Sequence, residues 1–151
     1  MHLVLGEDGR VGAWAEARIP HLFLDALGPY RAFGIADEAG RLRGAALFHG
    51  WAPRYRTIEV SFALESPRWL SRRLIAGILA YPFDQLAVLR LGAATPAGRA
   101  AAPAHRFLQA FGFRREGLAR RGFGPFGHAV VWGLTARDWD RSRFNRRASK
   151  P

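Results

Sequence analysis

HRFLQAFGFRREG, residues 105–117, is the stretch whose reading decides the fold. Ala104, Phe107, Leu108 and Phe111 recur at helical spacing and place apolar side chains on one face, so the segment reads as an amphipathic helix. Gly112 follows the last of them, where a helix C′ position favours the positive φ that glycine takes without strain. Phe113 then opens an extended run. A helix, a left-handed cap and an immediate strand form a unit of a layered α/β domain.

Working outward, residues 99–111 read as that helix, and residues 113–122 and 128–135 as a hairpin closed by the Gly- and Pro-containing turn of residues 122–127. Residues 85–95 form an apolar, strand-like run before it. Upstream, residues 13–18 and 22–27 read as helical pieces separated by Pro20 and closed by Gly28-Pro29. Residues 32–37 and 42–51 are extended runs joined by a Gly40 turn, and the second leads through residues 52–56 into another at 57–64. Ser66-Pro67 supplies a cap and a first helical position for a helix to about residue 81, where Pro82 ends it. A strand–helix–strand crossover gives a parallel pair and the hairpins give antiparallel ones, so a mixed, mostly antiparallel twisted sheet of about six strands flanked by helices is expected.

At 151 residues the chain is read as one domain over residues 1–139, with a basic, flexible tail at 140–151. Residues 137–151 hold six cationic and two acidic groups with almost no apolar periodicity after Trp139. No apolar run is long enough to span a bilayer, and MHLVLGEDGR lacks the basic start and apolar core of a signal peptide. A soluble, cytoplasmic protein without membrane contact is therefore expected. Zero cysteines remove disulfide, thiolate and Cys-metal chemistry. The five histidines show no metal-ligand spacing, and no metal site is expected.

The net charge is +11, and 22 of the 23 cationic residues are arginine. A GC-rich coding bias accounts for arginine over lysine but not for the surplus of base over acid. Planar guanidinium groups grip phosphate bidentately, so an anionic partner is expected. Arg68, Arg72 and Arg73 sharpen that expectation, because cations at a helix start oppose the macrodipole by roughly 0.3–1 kcal/mol each. A phosphate resting on the first-turn N–H groups beside Arg68, Ser71, Arg72 and Arg73 would turn that penalty into binding.

The hairpin LFHGWAPRYRTIEVSFAL has a predictable register. If residues 52–56 form the connection, Trp51 pairs with Thr57 and His49 lies opposite Glu59 on one face. Strand alternation then sets Ala45, Leu47, His49, Trp51, Thr57, Glu59 and Ser61 on a mixed polar face. Phe48, Ile58, Val60, Phe62 and Leu64 take the core face.

These segments together resemble the GNAT superfamily of acyl-CoA-dependent N-acetyltransferases. Ala104, Gly112, Phe113, Glu116 and Gly117 match its late helix and the strand that follows. Arg68, Ser71 and Arg73 occupy its pyrophosphate loop, although both family glycines are missing, as in a diverged, glycine-poor branch. The resemblance covers roughly residues 10–139 and implies direct acetyl transfer from acetyl-CoA to a primary amine of a small molecule or protein. It further implies Glu59, or failing that His49, as general base, the backbone of Phe62, Ala63 and Leu64 on acyl-CoA, and Arg68, Ser71, Arg72 and Arg73 on the pyrophosphate. Leu108 and Ala101 stand where the family carries a tyrosine acid and an asparagine. Tyr81 is expected in the core with Phe83. Expected partners are acetyl-CoA, the amine, a polyanion at the tail and a second copy of the chain. The alternative is a non-catalytic basic module on a degenerate acyltransferase fold, holding nucleic acid or an acidic protein.

Overall fold

The periodicities resolve into one sheet with helices on both faces. The computed structural model describes residues 1–66, 68 and 70–145. Its strands are β1 (His2–Val4), β2 (Tyr30–Ala36), β3 (Leu42–Ala52), β4 (Thr57–Leu64), β5 (Arg90–Pro96), β6 (Arg114–Ala119) and β7 (Ala129–Thr135). Its helices are α1 (Asp8–Glu16), α2 (Leu24–Leu27), α3 (Arg72–Ala80), α4 (Ala102–Ala110) and α5 (Ala136–Asp140). The strand order is β1-β2-β3-β4-β5-β7-β6. Among the described residues only β4 and β5 pair in parallel, as the crossover through α3 requires. The mostly antiparallel sheet is as expected, with one strand more. β1 was not legible because three residues before Gly6 are too few to show alternation.

Two cores lie on opposite faces. Phe48, Ile58, Val60, Leu91, Trp132 and Leu134 meet α3 and α4 on one. On the other, Val11 and Ala15 of α1 cover Ala45, Leu47 and Ala63. The expected polar face of the β3–β4 hairpin is thus apolar at its Ala45 end and polar only from His49 onward. α1 also begins at Asp8, five residues before the expected helical piece, with no side chain capping it at Glu7. Gly112 adopts φ 92° after α4.

α3 begins later than expected. Ser71, not Ser66, is the N-cap, its Oγ accepting from the Leu74 N–H at 3.1 Å. Pro67 and Trp69 lie outside the described residues. Pro82 does not end the helical path either, because residues Tyr81–Gln85 widen into a π turn in which Leu86 N–H reaches the Tyr81 carbonyl at 3.1 Å. Tyr81 packs edge-on to Phe33 and Phe48, both at 5.1 Å between ring centroids, while Phe83 stacks on Trp139 at 5.8 Å.

The expected flexible tail from residue 140 is corrected over its first residues. A capping box, Asp138 N–H to Thr135 Oγ1 and Thr135 N–H to Asp138 Oδ2, starts α5, and the chain turns back behind it. Phe144 and Asn145 are buried. The Phe144 ring meets Phe111 at 5.4 Å and Asn145 donates to the Trp139 carbonyl at 3.1 Å. One aromatic anchor at Phe144 docks a segment whose composition is otherwise that of a solvated tail. Residues 146–151 lie outside the described residues. Among the described residues no helix is long and apolar enough to cross a membrane.

Candidate functional site

The register places a transverse row of residues across the sheet. Tyr30 pairs with His49, His49 with Glu59, Glu59 with Gly92, Gly92 with Gly133 and Gly133 with Arg114. Directly opposed residues share a face. The row therefore presents polar side chains at both ends and bare backbone at the centre. The His49–Glu59 pairing is the expected one, whereas Trp51 does not face Thr57. A bulge follows His49, with Gly50 at φ 64°, and Ala52 takes the place opposite Thr57.

β4 and β5 part just past this row. Their parallel register runs Thr57 to Arg90, Ile58 to Leu91 and Glu59 to Gly92, and then stops. Residues 60–64 keep pairing with β3 and residues 93–96 with β7, so the two strands splay apart with no strand partner between them. The unpaired edge includes Phe62, Ala63 and Leu64. The Phe62 side chain packs into the core, its ring 5.2 Å from that of Phe107, which leaves its backbone at the edge. An unpaired strand edge offers a row of donors and acceptors to an extended ligand.

Glu59 stands at the apex of the splay, exposed, and no ion pair reaches it among the described residues. His49 is half-buried, and its Nε2 lies 3.0 Å from Ser61 Oγ rather than on Glu59. Burial holds the His49 imidazole below its ordinary range, opposed only in part by the Glu59 charge. Beyond Gly92, Arg90 contacts Glu116 at 2.6 Å. That pair lies flat over Gly133, where an added Cβ would collide with both Arg90 Nη1 and Glu116 Oε2. Sequence reasoning missed Gly92, Gly133 and Arg90 as site residues. Two glycines inside strands were the available signal, since such glycines mark close approach over the backbone.

The expected anion ligands are only partly assembled. The first-turn N–H groups of Arg72 and Arg73 in α3 have no intrahelical acceptor, and Arg68 is exposed just upstream. Arg72 instead donates to the Arg143 carbonyl, with its guanidinium 5.9 Å from the Phe144 ring. Arg73 lines a cavity of about 550 Å³ along with Leu3, Gly77, Trp139 and Asn145, and none of Phe62, Ala63 or Leu64 belongs to that wall. Leu108 is buried in the core. Among the described residues no group of three His, Cys, Asp or Glu is placed to hold a metal ion.

A mostly antiparallel sheet that splays where β4 and β5 pair in parallel, with α3 following the splay, is a fold shared with solved acetyltransferase structures. A point mutant of the spermidine N-acetyltransferase SpeG of Vibrio cholerae superposes with a TM-score of 0.70 at 15% identity over 99% of this chain and 100% of that one. SpeG in complex with manganese ions matches at 0.68 and 16% over 93% of each chain. A probable acetyltransferase gives 0.63 at 21% identity, covering 76% of this chain and 66% of that one. No family model matches the chain, and no curated protein matches it in sequence.

Proposed function

We propose that this protein is an acetyl-CoA-dependent N-acetyltransferase. The observation that carries the reading is the loss of β4–β5 pairing immediately after Glu59 and Gly92, which sets an unpaired strand edge beside a carboxylate without an ion-pair partner. The β4 edge at Phe62, Ala63 and Leu64 would hold the pantetheine arm by strand-like hydrogen bonds. The first-turn amides of α3, with Ser71 as cap and Arg68 and Arg73 as cations, would take the diphosphate. Arg72, held on the Arg143 carbonyl, steadies that helix start rather than reaching the phosphate itself.

The chemistry follows from the apex. An acceptor ammonium settling over Gly92 gives one proton to the Glu59 carboxylate, and the freed nitrogen pair attacks the thioester carbonyl carbon. The C–N bond forms as the C–S bond breaks. The sulfur leaves with the electron pair and takes up the second proton lost by nitrogen, so the products are an amide, CoA thiol and one proton released through Glu59. His49, uncharged near neutrality and tied to Ser61, shapes the wall beside Glu59 and is the reserve base. Leu108 supplies no acid, and a thiolate is stable enough to depart without one.

Localisation in the cytoplasm, absence of a resident metal and a second copy of the chain as partner remain parts of the same proposal. Buried Leu108 favours one rival, a degenerate fold that binds without transferring. Thermal shift and calorimetry with acetyl-CoA, followed by a CoA-release screen over amines that includes the polyamine named for the structural neighbours, decide between them. Saturation at 100 times the dissociation constant should stabilise the fold by about 2.7 kcal/mol. Binding with no turnover of any amine would favour the rival, and no binding would remove both donor and reaction.

A further inference from the structure

The floor beyond Glu59 carries a second charge that the transfer chemistry does not use. Arg90 and Glu116 meet end-on, with one nitrogen, Nη1, lying 2.6 Å from Oε1 and donating to Oε2 at 2.8 Å. An end-on contact occupies a single corner of the guanidinium fork. Its other corner, Nη2, has only a long 3.4 Å contact to the Trp132 carbonyl. Nη2 lies 3.6 Å from the point where a Gly92 Cβ would stand, and Glu59 Oε1 lies 3.7 Å from the same point. A carboxylate and a guanidinium thus flank one bare stretch of backbone from opposite sides.

The backbone at Gly92 is open, whereas that at Gly133 is covered by the Arg90–Glu116 pair. Gly92 and Gly133 contribute no side chain, and Gly133 is the reason the Arg90–Glu116 pair can lie down on the sheet at all. The side chains of Arg90 and Glu116 remain 35% and 38% exposed, so a solute can reach them. Arg114, at the far end of the row, is already held by Asp138 at 3.2 Å. Of the two paired arginines, Arg90 is the one whose second fork corner lies beside Gly92.

We infer that the acceptor is a free amino acid, with its ammonium on Glu59 and its carboxylate on Nη2 of Arg90, a specificity-determining residue. The inference rests on the acyl-transfer reading proposed above. One positive and one negative group on a single α-carbon match the two charges that bracket Gly92. A polyamine would bring a second ammonium against Arg90, and that like-charge contact disfavours it. Glu116 keeps Arg90 paired and in place until the substrate carboxylate arrives.

The test is CoA release with acetyl-CoA and four matched sets of acceptors: free amino acids, their carboxamides, the corresponding amines without a carboxyl group, and spermidine. At least one free amino acid is expected to exceed its carboxamide in kcat/KM by about tenfold or more, the order of a charge-assisted hydrogen bond. Arg90→Gln should pull that acid-to-amide ratio toward one, mainly through KM, and Arg90→Lys should restore part of it. If Arg90→Gln leaves Glu116 uncompensated and unfolds, the pair Arg90→Gln with Glu116→Gln serves instead. Equal rates for acid and carboxamide, preference for spermidine, no turnover of any amino acid, or an equal loss on all acceptors in the Arg90 variant each overturn the inference. Acetyl-CoA calorimetry on the unmodified chain separates the two levels. Intact donor binding confines a failure to the acceptor class, whereas absent binding removes the reading beneath it.

Discussion

Arg72 and Arg90 are the same residue type in two settings, and their difference shows what decides a cation's role. Arg72 begins α3 among other arginines, where the sequence pattern points at a phosphate, yet one corner of its guanidinium donates to the Arg143 carbonyl and the group lies 5.9 Å from the Phe144 ring. Arg90 drew no attention as sequence. It opens a central strand, lies over a glycine and keeps a corner of its fork turned toward Gly92. Local charge density marks where anions are welcome, while the partner that arrives through tertiary structure sets what the cation does.

The largest expected effect lies on the Arg90 side. Glu59→Gln removes the charge facing Arg90 across Gly92 while keeping the side chain's shape, and should lower kcat by about 10² to 10⁴ with little change in acetyl-CoA affinity. Steady-state rates and calorimetry check both halves. Parity with the parent across pH would hand the proton to His49 or to water.

On the Arg72 side, Phe144→Ala should free that arginine by emptying the aromatic contact with Phe111. The expected loss is about 3 kcal/mol, read as a drop in the denaturant midpoint. Deleting residues 141–151 should cost at least as much, since it removes Phe144 and the Arg143 carbonyl together. An unchanged midpoint would mean that the C-terminal segment contributes nothing to α3, and would return Arg72 to the phosphate.

Arg68→Glu with Arg73→Glu sharpens the comparison by testing the cations that Arg143 does not engage. Acetyl-CoA binding should weaken by about tenfold or more, and the loss should shrink as salt is raised. Arg72→Ala, by contrast, should act on stability, at about 1 kcal/mol or a few degrees of Tm. Similar losses of donor affinity in all three would erase the distinction between them.

The smallest effect concerns His49. Its pKa is lowered by burial in the folded chain, so the unfolded chain binds the proton more readily. The stability associated with the neutral imidazole is complete above the unfolded pKa near 6.5 and is lost as pH falls through the lower folded value. His49→Gln should flatten the acid side of a Tm-against-pH profile below neutrality. A profile identical to the parent's would show that His21, also lowered by burial, carries the acid sensitivity instead.

Much of the donor side was legible because it depends on neighbours in sequence. The β4 bounds of Thr57–Leu64, the pairing of His49 with Glu59 and the left-handed Gly112 all follow from alternation, loop length and local sterics. The bulge after His49 was not legible, since a single inserted residue leaves the apolar pattern on both sides intact. Phe144 was unreadable for a similar reason. One aromatic among arginines carries no period, and only the groove beside Phe111 makes it a core residue.

By itself, the sequence determined the order of elements from β2 to β7, the parallel crossover through α3, the core face of β3 and β4 and the presence of a carboxylate opposite His49. These rest on periods of 2 and 3.6 residues and on turn chemistry, which act over a few residues at a time. Tertiary structure alone decided that β4 and β5 part after Glu59, that Gly92 and Gly133 fall side by side, and that Arg90 reaches Glu116 across the second of them. Those facts join segments 26 to 41 residues apart, and the register that joins them is set by the packing of the whole sheet on its two cores rather than by any local preference.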